Sequence, residues 1–293
     1  MSHKSGFVNI IGHPNVGKST LMNILTGEKL SIITPKAQTT RHRILGIVNG
    51  EDYQIVYSDT PGIVKPHYKL HESMMKFVQS ALQDADIFIY LTEVGENDFD
   101  EEVVEKIRKS GKPLIFVINK VDLVSPEEVQ SKIAGWQLKL PDALIIPTSA
   151  KLNFNVDKII GEVINLLPES PPYFPKDDEL SDRPLRFFIS EMIREKIFLQ
   201  FQKEVPYSAE VVVESFKETP KITVITAMIY VERETQKAII LGHQGAAIKR
   251  LGTSARKDIE AFIGAKVYLE LSVKVSDDWR QDELKLKRFG YEF

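Results

Sequence analysis

Gly12-His13-Pro14-Asn15-Val16-Gly17-Lys18-Ser19 fits the spacing Gly-x-x-x-x-Gly-Lys-Ser. An apolar, strand-like run from Phe7 to Ile11 precedes it, and a helical pattern from Thr20 to Leu25 follows. That is the frame in which a glycine-rich loop cradles phosphates. Gly12 and Gly17 let the backbone turn tightly, so that successive N–H groups point at one anion. The helix that opens at Lys18, Ser19 and Thr20 adds its unpaired first-turn N–H groups and the positive end of its dipole. Lys18 brings a mobile charge to the outer phosphates, and the Ser19 hydroxyl is placed to ligate Mg²⁺. The competing reading, a glycine turn beside a surface lysine, leaves the strand–loop–helix frame unexplained.

A chain of 293 residues exceeds the usual single-domain size, so two domains are expected. There is no cysteine, which excludes disulfides and thiolate metal sites and fits a reducing compartment. Met1 to Gly6 lead straight into the first strand and leave no room for a signal peptide. No apolar run approaches the ~20 residues needed to cross a bilayer. A cytoplasmic location is expected. The net charge of −3 argues by itself against a nucleic-acid binder. Residues 1–179 are net acidic and residues 180–293 slightly basic, so local clustering has to decide.

Residues 31–48 begin polar and end as a strand. Thr39 and Thr40 there offer hydroxyls for Mg²⁺ in a loop that senses a γ-phosphate, although two threonines taken alone are as well explained as loop residues or β-formers. The strand Tyr53 to Tyr57 ends in Ser58-Asp59-Thr60-Pro61-Gly62. A carboxylate at a strand's C-terminal edge is where an Mg²⁺ partner belongs, with Asp59 acting through water. Gly62 can turn its N–H toward a γ-phosphate, whose loss would release the loop. The apolar runs Ile87 to Leu91 and Leu114 to Ile118 alternate with helical stretches near 100–110 and 126–138, as buried parallel strands do. The second run ends in Asn119-Lys120-Val121-Asp122. The Asp122 carboxylate can accept two hydrogen bonds from guanine, a donor pair that adenine lacks. A buried carboxylate left unpaired costs several kcal/mol, so adenine should be rejected. After a strand at Leu144 to Ile146, the Ser149-Ala150 backbone can cap the guanine carbonyl and Lys151 can lie along the ring.

Five elements thus stand in the order phosphate loop, threonine loop, Asp-x-x-Gly, Asn-Lys-x-Asp and Ser-Ala-Lys, each at a strand's end. Over about 165 residues this resembles the translation-factor-like branch of P-loop GTPases, with an α/β fold and a mostly parallel sheet. Ile63 departs from the Ras-like pattern, which carries a water-orienting glutamine after the glycine. An apolar side chain cannot orient water. No residue is assigned as general base, and positioning plus charge stabilisation should carry the chemistry. In similar GTPases an asparagine at the position of Asn15 helps hold a monovalent cation, usually K⁺. The alternative is that Asn15 simply favours the turn.

Pro168, Pro171, Pro172, Pro175 and Pro184, with the acidic run Asp177-Asp178-Glu179, mark a semi-stiff spacer and a domain boundary. Beyond it, Leu185 to Phe201 has helical periodicity, and Ala209 to Phe216 and Ile222 to Val231 read as strands. A short helix from Lys237 to Leu241, Gly242-His243-Gln244-Gly245, a helix from Ala246 to Ile263 and a strand from Lys266 to Val275 complete the order α-β-β-α-α-β. Two glycines without side chains let a nucleic-acid backbone approach closely. Lys249, Arg250, Arg256 and Lys257 surround them, with no acid from Gly242 to Lys257, and Ile248 gives bases an apolar surface. A lone Gly-x-x-Gly is most often a helix–helix turn. With this element order and basicity, the segment resembles an α+β type II KH domain, which grips about four single-stranded nucleotides.

A GTPase domain (5–170), a Pro-rich linker (171–184), a KH domain (185–280) and a tail (281–293) resemble the Era family of bacterial GTPases. Ser276-Asp277-Asp278-Trp279-Arg280 and Phe289-Gly290-Tyr291 follow the last strand as in that family. The resemblance implies binding of the 3′ end of small-subunit ribosomal RNA, a part in small-subunit assembly, and peripheral contact with the inner membrane. The expected ligands are GTP and GDP with Mg²⁺, and K⁺ at Asn15; the expected state is a monomer. Two rival readings remain: an RNA chaperone with structural GTP, and a GTPase whose C-terminal domain docks protein or membrane.

Overall fold

In the computed structural model, which describes residues 3–176 and 180–291, the chain forms two units. One comprises Met1–Ser31, Thr40–Lys65 and Met74–Asp182; the other comprises Ile32–Thr39, Pro66–Ser73 and Arg183–Phe293. The chain therefore does not divide at the Pro-rich stretch alone. Two short segments of the first half pack with the second unit.

The first unit is built on β1 (Lys4–Ile11), β2 (Ile44–Asn49), β3 (Tyr53–Asp59), β4 (Ile87–Glu93), β5 (Leu114–Asn119) and β6 (Leu144–Pro147). Their order in the sheet is β2-β3-β1-β4-β5-β6, parallel except for the antiparallel β2–β3 pair. The central strands are covered on both faces, which is why β4 and β5 read as unbroken apolar runs. The helices are α1 (Lys18–Thr26), α2 (Lys69–Asp84, from Met74 onward in this unit), α3 (Glu101–Ser110), α4 (Pro126–Lys139) and α5 (Val156–Leu166). Asp100 caps α3 by accepting from the Val103 N–H, and left-handed Gly111 ends it. A Ser125/Glu128 capping box with Pro126 in the first turn starts α4. On the core side of this half, Phe116 lies between Tyr90 (5.5 Å between ring centroids) and Trp136 (4.8 Å). Because β1, β3, β5 and β6 are parallel, the loops that follow them all leave from one edge of the sheet.

The proline-rich segment is not a free spacer. The Gln54 side chain accepts from the N–H groups of Tyr173 and Phe174 (2.8 and 3.0 Å) and donates to the Phe174 carbonyl (2.9 Å). Ile47 N–H donates to Leu180 O at 2.9 Å. Leu180 O thus takes up a backbone N–H that the β2 edge would otherwise leave open. The acidic run 177–179 lies outside the described residues.

The second unit contains α6 (Leu185–Gln200), α7 (Val205–Ser208), β7 (Glu210–Glu218), β8 (Thr223–Val231), α8 (Glu234–Leu241), α9 (Ala246–Ile263), β9 (Val267–Val275) and α10 (Glu283–Arg288). The sheet runs β7-β8-β9, antiparallel then parallel. Apart from the short α7 and the tail, this is the expected order. The tail is anchored by Trp279, whose indole N–H donates to Ser208 O (2.8 Å), and by Tyr291, whose hydroxyl donates to buried Glu210 (2.8 Å). Among the described residues, no helix is long and apolar enough to cross a membrane.

Candidate functional site

The phosphate loop joins β1 to α1. A side chain at Gly12 would meet Leu91 O at 2.1 Å, and one at Gly17 (φ 104°) would meet the Asn119 amide at 2.3 Å, so both positions need the bare backbone. Buried Lys18 donates to Gly12 O (3.0 Å) and His13 O (2.8 Å), which fold its ammonium back over the loop. Burial pushes its pKa down to about 8, against the pull of the Asp59 charge. Asn15 holds a left-handed φ of 66°, as its turn reading expects.

Ser19, Thr40 and Asp59 converge. The Ser19 hydroxyl donates to Asp59 Oδ2 at 2.7 Å and lies 2.9 Å from Thr40 Oγ1, itself 3.4 Å from the same carboxylate oxygen. Asp59 is fully buried, and burial raises its pKa. Its Oδ1 is buried with no hydrogen-bond partner among the described residues. Two hydroxyls and a half-satisfied carboxylate beside a phosphate loop form an oxygen-only donor set, which fits Mg²⁺.

Not every threonine of the motif set faces this cluster. Thr39 bonds Lys36 O and Thr34 Oγ1 (both 2.8 Å) and belongs to the second unit, so its hydroxyl closes a turn. Thr60 is buried and donates to Ile10 O at 2.8 Å, tying the loop after β3 to β1. Pro61 and Gly62 follow, with no room for a side chain at Gly62, where a Cβ would meet Pro14 Cγ at 2.7 Å. Ile63 packs against the core cluster around Ile11, Val78 and Val94, which fixes it as an anchor of the loop.

The base-reading loops meet the phosphate loop from the other side. The Asn119 amide donates to Val16 O (2.8 Å) and accepts from the Ala150 N–H (2.9 Å), so one side chain joins three motifs. Lys120 Nζ donates to Asn15 O at 2.7 Å. Asp122 is exposed and takes a hydrogen bond from Ser149 Oγ at 2.6 Å. The carboxylate expected to be buried is therefore wet here, and only a base stacked beside it would exclude water. Lys151 is exposed in the turn that follows.

In the second unit, Gly242 (φ 69°) and Gly245 (φ 74°) bracket a single turn between α8 and α9 that carries exposed His243 and Gln244. They differ in kind. A side chain at Gly242 would meet Ala247 Cβ at 2.6 Å, whereas one at Gly245 would enter open space. Beside the turn, Ile248, Lys249, Gly252, Thr253 and Arg256 of α9 face Tyr268, Leu269 and Leu271 of β9 across a groove of about 380 Å³. Arg250 is exposed on the same helix. The β9 wall was not identified from sequence. Its period-2 pattern marks a strand, but only the sheet order, with β9 at the edge, reveals that one side of it is open.

A family profile described as 50S ribosome-binding GTPase matches residues 7–120, and a KH domain profile matches residues 204–280. GTPase Era of Geotalea uraniireducens (strain Rf4) is 45% identical over 292 residues, spanning 99% of this chain and 98% of its own. The chloroplastic GTPase ERA-like protein of Oryza sativa subsp. japonica is 47% identical over 296 residues, 99% of this chain and 70% of its own. Among solved structures, Era in complex with MgGDPNP and nucleotides 1506–1542 of 16S ribosomal RNA superposes with a TM-score of 0.95 at 40% identity, covering 99% of this chain and 100% of that one. A variant Era of Aquifex aeolicus bound to GDP and AlF4⁻ gives 0.94 at 39% identity, with the same coverage. With both profiles in order and full-length likeness to Era proteins, the chain belongs to the Era family of GTPases.

Proposed function

We propose that this chain hydrolyses GTP and couples its nucleotide state to the binding of single-stranded RNA, the 3′ end of the 16S ribosomal RNA in an assembling small subunit. The observation that carries the reading is the convergence of Ser19, Thr40 and Asp59 under the phosphate loop, in a chain that matches RNA-bound Era over its whole length. Lys18 and the loop N–H groups hold the phosphates, and Asn119 keeps the loop and the base-reading turns in register. Asp122 and the Ser149–Ala150 turn read guanine. Ser19 and Thr40, with Asp59 beside them, hold Mg²⁺, which offsets charge developing on the outer phosphates. With Ile63 anchored in the core, no side chain after Gly62 serves as base, so intrinsic turnover is slow. A monovalent cation at Asn15 supplies further positive charge. The turn at Gly245 admits the RNA backbone, Lys249 and Arg256 meet phosphates, and Ile248 and Leu271 meet bases. A monomer acting in the cytoplasm, touching the membrane only peripherally, belongs to the same proposal.

The test has two arms. Single-turnover hydrolysis is measured in K⁺ and in Na⁺, with Lys18→Ala as the inactive control. Hydrolysis unaffected by Lys18→Ala would remove the enzymatic assignment, and equal rates in both salts would remove the cation from Asn15. Fluorescence titration of a labelled 16S 3′-end RNA is then run with GDP, with a GTP analogue and without nucleotide. Tighter binding with the analogue is expected. No binding in any state would leave the protein-docking reading of the second unit.

A further inference from the structure

The turn after β4 carries two carboxylates that belong to none of the nucleotide motifs, yet both reach into the nucleotide site. Glu93 ends β4, directly across from Asn119 in the β4–β5 ladder. Its carboxylate forms an ion pair with the Lys120 ammonium, and the same ammonium donates to Asn15 O at 2.7 Å. Three residues on, Glu96 Oε1 pairs with His13 Nδ1 at 2.9 Å, and its other oxygen accepts from Thr92 Oγ1 at 2.6 Å. The turn between them is itself pinned: Glu96 N–H donates to Glu93 O (3.0 Å), Val94 N–H to Asn119 O (3.1 Å), and Lys132 Nζ to Glu96 O (3.1 Å). Glu93 is therefore presented on a rigid support.

Lys120 is the side chain that needs such a support. It follows the strand in a left-handed conformation (φ 61°), and its ammonium sits on a four-carbon stem with many rotamers to lose. The Asn15 carbonyl alone offers it one acceptor. Glu93 supplies the second, so that the ammonium at the end of the aliphatic stem is held by two acceptors at once. Lys120 and Glu93 are each about one-third exposed, and pairs that open to water contribute little to stability. What the pair supplies is order.

We propose that Glu93 is a positioning residue for nucleotide binding, acting through Lys120: it holds the lysine stem in place beside the guanine, so that nucleotide does not have to order it on arrival. The inference rests on the nucleotide site proposed above. A side chain ordered before binding lowers the entropy that binding must overcome. The gain falls on the base end of the ligand, so GDP and GTP share it equally.

The experiment is stopped-flow release of mant-GDP and of a mant-labelled GTP analogue from the full chain, in wild type, Glu93→Ala, Glu93→Gln, Lys120→Ala and the Glu93→Ala/Lys120→Ala double variant. Glu93→Ala is expected to speed release of both ligands about tenfold, with Glu93→Gln between it and wild type. In the Lys120→Ala background, Glu93→Ala should add nothing, because its only route to the ligand is gone. An equal acceleration in both backgrounds would mean that Glu93 merely supports the turn, and unchanged release in Glu93→Ala would end the proposal outright. If Glu93→Ala does not fold, Glu93→Gln is read against Lys120→Ala in the same cycle. Wild-type protein that fails to bind mant-GDP would instead overturn the nucleotide site itself.

Discussion

The two glycines of the second unit show how far a motif can be taken residue by residue. Spacing alone treats Gly242 and Gly245 as equivalent, and both carry positive φ. Only Gly242 has a neighbour in the way, Ala247 Cβ at 2.6 Å from a would-be side chain. Gly242→Asp should therefore cost ~1–3 kcal/mol of stability and lower the melting temperature by several degrees. Gly245→Asp meets no neighbour and bears only the strain of a left-handed backbone, which Asp tolerates better than most residues, so melting should fall less than in Gly242→Asp. Its effect should fall on RNA, with affinity for the 3′-end RNA dropping tenfold or more as the carboxylate meets a phosphate. Equal loss of stability in both variants, or RNA binding indifferent to Gly245→Asp, would contradict this. The same limit on motif reading applies in the first unit. Sequence offers Thr39 and Thr40 for the same role, but their hydroxyls go to a turn and to the Ser19–Asp59 cluster respectively. Hydroxyl direction depends on local backbone, which spacing does not encode. Asn119 carries something further that spacing does not announce: its amide joins Val16 to Ala150.

At the scale of elements, strands were the easier part to read. Buried parallel strands declare themselves by unbroken apolar runs, and β1, β4 and β5 fall where those runs are. The helices α2 and α5 were not anticipated, although apolar pairs recur in them at helical spacing, Met74-Met75 and Phe77-Val78 in one, Ile159-Ile160 and Val163-Ile164 in the other. Leu70, Met74, Phe77, Val78 and Ala81 of α2 are buried and spaced as one helical face, a pattern visible once the element is known. The proline-rich stretch was read as a spacer because proline breaks regular structure. Nothing in its composition reveals that Gln54, on β3, supplies the hydrogen bonds that hold it. That arrangement is testable by hydrogen exchange. Gln54→Ala removes the acceptor of the Tyr173 and Phe174 N–H groups, worth ~1 kcal/mol for a bond of this kind. Exchange at those two amides should accelerate about fivefold or more, while amides of β4 and β5 keep their protection. Unchanged exchange at Tyr173 and Phe174 would show that they are held by something else.

Over the whole molecule, the chain itself crosses between the two units at residues 39–40, beside the nucleotide cluster. Residues 32–39 pack with the second unit, and Thr40, one peptide bond further, stands with Ser19 and Asp59 in the first. Within the second unit this segment is held at α6: Glu195 accepts from Ile33 N–H at 3.1 Å, and Lys36 Nζ donates to Phe198 O at 2.5 Å and to Phe201 O. A lysine on the last carbonyls of a helix is favoured by unpaired acceptors and by the helix dipole together. If docking of this segment and placement of Thr40 are linked through the peptide bond between residues 39 and 40, the coupling must run both ways. GTP, which engages Thr40 through Mg²⁺ in the proposed mechanism, then favours the docked segment more than GDP does. Lys36→Ala weakens the docking without touching the nucleotide or the groove on α9. The RNA affinity ratio between the GTP-analogue and GDP forms should shrink toward one by about fivefold, the factor that corresponds to a contact of ~1 kcal/mol. Nucleotide affinity in the absence of RNA should change little. If Lys36→Ala instead lowers RNA affinity equally in both nucleotide states, the segment supports the second unit but carries no signal, and the coupling must run through residues 66–73, the other segment that the second unit shares with the first half of the chain.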